Sequence, residues 1–143
     1  MEELLELRQH IEQGHYPEAL NLIGELEEMS REDKLNKIGS FIEILLLHLI
    51  KQLAEQRTTR SWDISIKNAL DNIEDVNKRR KAGGYYLSPS ELAETIEAHY
   101  IRALRRASLE AFEGIFEEAT LEQKFAPAEV KAMALRLIMK QSL

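Results

Sequence analysis

Apolar residues recur along this chain at steps of three and four almost from end to end. No stretch alternates apolar and polar residues with a period of two for long enough to make a strand. Leu4, Leu7 and Ile11 line one side of a first helix, which Gly14 stops. Pro17 suits the first turn of a second, whose stripe is Tyr16, Ala19, Leu20, Ile23 and Leu26. The short break between them predicts an antiparallel pair. Ser30-Arg-Glu-Asp33 has the form of a capping box, so a new helix is expected there, running to about Arg57. Its middle, Phe41 to Ile50, is apolar on nearly every side, as in a helix surrounded by others. Leu45, Leu46, Leu49 and Leu53 are its expected core positions.

A turn at Thr58–Ser61 precedes the stripe Trp62, Ile66, Ala69, Leu70, Ile73 and Val76. That helix is expected to close on Lys78-Arg79-Arg80-Lys81, cations that suit the negative end of the helix dipole, before Gly83-Gly84. Ser88-Pro89-Ser90-Glu91 combines a capping serine, a first-turn proline and a glutamate three residues on. Leu92, Ile96, Tyr100, Ala103, Ala107 and Ala111 form the stripe of the helix it opens. Beyond Gly114 the pattern weakens: 115–126 reads as a short helix opened at Thr120 or as an irregular arm. Pro127 then starts a last amphipathic helix with Val130, Met133, Ala134, Leu137 and Ile138 on one face. The expectation is one all-α domain over 1–143, an antiparallel up-and-down bundle of about four main helices plus shorter terminal ones. Residues 115–143 are its arm, whose removal is expected to leave the bundle folded.

Several segments are similar to a known family. They are Ile23–Lys34, Leu47-His-Leu-Ile-Lys51, Arg57-Thr-Thr-Arg-Ser-Trp-Asp63, Asn77–Leu87 with its Gly83-Gly84, and Ala107–Gly114. In this order they resemble the bacterial domain-of-unknown-function family twenty-nine, over most of 1–114. The resemblance implies an up-and-down helical bundle and brings no catalytic residues.

Composition narrows the chemistry. Cysteine is absent, which removes disulfides, thiolate metal sites and cysteine nucleophiles together. The apolar run at 41–50 is half the length a bilayer needs, and the first five residues lack a secretory signal's basic flank, so the cytoplasm is the expected compartment. The net charge of −6 is divided unevenly. Residues 1–33 carry ten acids against two bases, a balance of −8, while 34–81 carry ten bases against six acids, or +4. No Glu-x-x-His pair, phosphate loop or nucleophile elbow occurs, so no cofactor or metal is expected.

Two basic sites stand out as candidates for an anion, a nucleic acid or a protein partner. One is the turn of Arg57, Thr59, Arg60, Ser61 and Trp62; the other combines Lys78, Arg79, Arg80 and Lys81 with Tyr85 and Tyr86. At the first, the structural expectation is that Arg60 and Arg57 clamp Glu25, Glu27 or Glu28 while Trp62 plugs the bundle end. A pI near 5.3 weighs against a duplex binder. His48, inside the apolar run, is expected to be a buried neutral histidine bonded to a helix carbonyl, Ser61 or the Trp62 region, with a pH sensor as the alternative. The leading function class is a protein-interaction or self-associating module. An anion or nucleic-acid binder and an enzyme without a recognisable motif stand behind it.

Overall fold

The computed structural model describes residues 2–79 and 83–142. Its helices are α1 (Glu2–Glu12), α2 (Tyr16–Glu55), α3 (Arg60–Asn77), α4 (Pro89–Glu110), α5 (Glu118–Glu122) and α6 (Pro127–Ser142), with a short turn at Ala111–Gly114 after α4. The fold is all-α, and no strand occurs among the described residues. No described helix is long and apolar enough to cross a membrane. The chain divides into two compact units, Met1–Asn36 and Lys37–Leu143.

In the first unit α1 ends at a left-handed Gly14, φ +77°, and α2 begins at Tyr16 with Pro17 in its first turn. The new helix expected at Ser30 does not occur: α2 is helical straight through it. A serine caps a helix only where the chain before it leaves helical geometry. Glu27, Glu28 and Met29 are good helix formers with no glycine or proline among them, so nothing frees Ser30 to act as a cap.

In the second unit the later part of α2 is central. Ile42, Leu45, Leu46, Leu47, Leu49 and Ile50 are all buried, which is why this stretch shows no polar side. Leu53 is half-buried at its margin. Gly39 supplies close approach: a Cβ there would collide with the ring of His99 on α4. Thr59 caps α3 through its side chain, and Ser88 with Glu91 forms the full capping box of α4. Every expected stripe position of α4 from Leu92 to Ala107 is buried, and so is Ala111.

The expected arm belongs to this core. Leu121 of α5 and Val130, Ala134 and Ile138 of α6 are buried, and α6 packs on α3 and α4. Leu137 and Met133 are half-buried, and Thr120 lies inside α5 rather than at its start.

The end of α3 also departs from expectation. The helix stops at Asn77, before the basic run, because Asn77 redirects the chain. Its buried Oδ1 accepts the Leu87 N–H at 2.9 Å and its carbonyl accepts the Tyr86 N–H at 2.8 Å. Lys78 then faces Tyr85 in an isolated antiparallel bridge, and Arg79 N–H donates to the Gly84 carbonyl. Gly83 and Gly84, at φ +75° and +74°, make that tight return possible.

Candidate functional site

α2 ends where Gln56 takes a left-handed conformation, φ +53°, and Arg57 N–H reaches back to the Gln52 carbonyl. This is a glycine-type helix stop built on glutamine. Thr59 caps the next helix: its Oγ1 accepts the Trp62 N–H at 3.1 Å. Thr58 Oγ1 donates to Asp63 at 2.7 Å and braces the turn. Arg60 and Ser61 are exposed residues of the first turn of α3.

Trp62 is half-buried, with two cations on its ring. Lys51 Nζ and Arg57 Cζ each lie 4.8 Å from the ring centroid. Each cation is also held by a carboxylate, Lys51 by Glu110 at 2.9 Å and Arg57 by Glu55 at 3.0 Å. Where Glu25, Glu27 and Glu28 are the expected partners of Arg57, the carboxylate that its Nε meets is therefore Glu55.

The second oxygen of Glu55 leads to a segment that the sequence reading did not name as a candidate site. Glu55 Oε2 accepts the backbone N–H of Phe112 at 3.2 Å. Phe112, Glu113 and Gly114 are three successive left-handed residues, with φ of +50°, +59° and +77°. Two of them carry side chains, and each such residue costs about 1–2 kcal/mol. The strain is held in place by local contacts. Phe112 stacks edge-on against Phe116 at 5.2 Å, and Lys124 Nζ covers both rings at 5.3 and 4.2 Å. A Cβ on Gly114 would meet the Leu109 carbonyl oxygen at 2.9 Å, so this position needs glycine.

The left-handed turn throws the next residue outward. Ile115 is 73% exposed, and Leu109, on the last turn of α4, is 74% exposed. Ile115 stands between two clefts. One, of about 310 Å³, is lined by Trp62, Arg57, Phe112 and Ile115 with Glu55, Glu110 and Glu113. The other, of about 460 Å³, runs along Leu109, Gly114, Ile115 and Phe116 to Glu117 and Glu118. The geometry is an apolar ridge with aromatic flanks and a carboxylate rim.

The other sequence candidates lie elsewhere. Lys78, Arg79, Tyr85 and Tyr86 sit at the opposite end of α3, whose 18 residues span roughly 27 Å. Tyr85 donates to Glu74 at 3.0 Å, and Arg79 lies 5.8 Å from the Tyr86 ring. Arg80 and Lys81 lie outside the described residues.

His48 is half-buried, and its buried Nδ1 has no hydrogen-bond partner among the described residues. Burial pushes its pKa below the usual histidine value; Lys51 and Arg106 add to the effect and Glu110 opposes it. Tyr100 shifts upward, because it is desolvated and donates to Glu122 at 2.6 Å.

The sequence pattern of the family described as Domain of unknown function DUF29 matches residues 6–134. No curated protein and no solved structure matches the chain.

Proposed function

The chain belongs to the DUF29 family, and from that premise we propose that it is a protein-interaction module that docks a partner at the Leu109–Ile115 ridge. The observation that carries this reading is the left-handed run at Phe112–Gly114. Strain of this kind persists only where the surroundings over-determine it, and it concentrates at ligand clamps and switch regions. Here it is held by Glu55, Phe116 and Lys124, and it leaves Ile115 in water near the exposed Leu109, beside two clefts. Exposed aliphatic residues flanked by clefts and rimmed by charge mark a docking surface.

The rim chooses the partner. Glu110, Glu113 and Glu117 are exposed around the ridge, so the complementary segment carries an apolar anchor flanked by lysine or arginine. The anion and nucleic-acid reading of the 57–62 turn fits less well. Arg57 is already paired with Glu55, and three carboxylates line the same cleft.

Affinity capture from the native host with the parent, Leu109→Asp and Ile115→Asp tests the reading, followed by titration of the purified captured protein. The expected result is a partner bound by the parent and at least about tenfold more weakly by either variant, with melting temperatures unchanged. A partner bound equally well by both variants overturns the ridge as the docking site.

A further inference from the structure

The first unit carries a second surface, independent of the ridge. In α1 no residue is buried, and Leu4, Leu5 and Ile11 are all about half or more exposed. On the adjoining turns of α2, Ala19 and Leu22 are buried, whereas Tyr16 and Leu20, one helical turn apart, are exposed, Leu20 by 68%. The amphipathic period of this unit thus produces more apolar face than it covers. Exposed leucine, isoleucine and tyrosine at this density are unusual on a surface with nothing bound to it.

The charge along this stretch is one-sided. Residues 1–22 hold Glu2, Glu3, Glu6, Glu12 and Glu18 against Arg8 alone, a balance of −4. Arg8 is moreover paired with Glu12, at 2.9 Å. A second copy of the same face would bring −4 against −4, and an anionic membrane would be repelled in the same way. An apolar strip bordered by carboxylates is the complement of a helix with leucine-like residues on one side and lysine or arginine at its margins.

We infer that the α1 and early α2 face is a docking site for a basic amphipathic helix of a partner protein, reading both its apolar stripe and its flanking cations. This goes beyond the ridge reading and uses different residues. The full chain is titrated with three synthetic peptides: a leucine–lysine helix with leucine on one face, the same composition scrambled, and a leucine–glutamate helix with the same pattern. The patterned basic peptide should bind, more weakly as salt rises, and lose at least about tenfold in affinity to Leu5→Glu or Leu20→Glu. Ile115→Asp removes any binding of the same peptide at the ridge and should leave intact the component lost in Leu5→Glu and Leu20→Glu, which separates the two sites. Equal binding of the scrambled peptide would reduce the site to bulk charge and overturn the inference. Equal binding of the acidic peptide, or indifference to both leucine substitutions, would overturn it too. So would a sedimentation result in which the parent self-associates and Leu20→Glu does not, since the face would then be closed by a second copy.

Discussion

The carboxylate of Glu55 joins two turns that are distant in sequence: one oxygen accepts from Arg57 and the other from the backbone N–H of Phe112. Glu55 is the last residue of α2, and its side chain is only 10% exposed. Deleting it would strand a part-buried N–H in a strained turn and release Arg57 from its anchor. Glu55→Ala should therefore destabilise the protein by about 1–3 kcal/mol. Glu55→Gln keeps an acceptor oxygen and should recover part of the loss. Urea denaturation of the three proteins decides it. An alanine variant as stable as the parent would mean that the turn holds itself.

Left-handed geometry at Glu113 predicts the opposite sign. The residue is exposed and sits at φ +59°, which glycine adopts freely. Glu113→Gly should stabilise by up to about 1 kcal/mol, because relief of strain competes with the added freedom of the unfolded chain. Gly114→Ala should be clearly destabilising, through both its φ of +77° and the Leu109 carbonyl beside it. Thermal melts of the two variants should move in opposite directions.

Sequence pattern reported helices wherever a stripe met a recognisable cap. Ser88-Pro89-Ser90-Glu91 fixed the start of α4 because its hydrogen bonds are local. The all-round apolar run of α2 and the stripe of α4 also mapped directly onto burial. Failures came where a local motif lacked its context or where a stop used an unusual residue. Ser30 has the spacing of a cap but no break before it. Gln56, Phe112 and Glu113 turn left-handed without glycine, and such a choice is made by tertiary contacts that a stripe does not report. Half of the candidate cleft was legible, since Arg57 and Trp62 do line it. Its other wall, Phe112 to Ile115, is brought there by the Glu55 contact, 57 residues apart in sequence.

Removal of the chain after Gly114 should prevent stable folding. It would take away Leu121, Val130, Ala134 and Ile138, whose burial closes the α3 and α4 faces of the core. Even the single change Val130→Ala, at a fully buried site, should cost roughly 1–3 kcal/mol. Circular dichroism and chemical denaturation of the truncated chain check this. A cooperative unfolding transition at parental stability would restore the tail to the status of an arm.

The lowered pKa of His48 predicts an acid-sensitive component of stability. The folded pKa lies below the ordinary 6.5, with burial the largest cause and the Lys51 and Arg106 charges next. Between that lowered value and the ordinary one, the unfolded chain binds more protons than the folded chain. The contribution is fully present above about pH 6.5 and is lost as pH falls toward the folded value, below which it levels off. Replacement by a group that cannot titrate removes this component. The stability of the parent relative to His48→Leu should therefore decline on acidification from about pH 7.5 to about pH 5. The neighbours supply a sharper check. Glu110 pulls the histidine pKa up, whereas Lys51 pushes it down. In an NMR titration of the His48 ring, Glu110→Gln should lower the midpoint further and Lys51→Met should raise it. Shifts of the same sign in both variants, or a parental midpoint at the ordinary histidine value, would show that the ring is solvated and that these charges do not act on it.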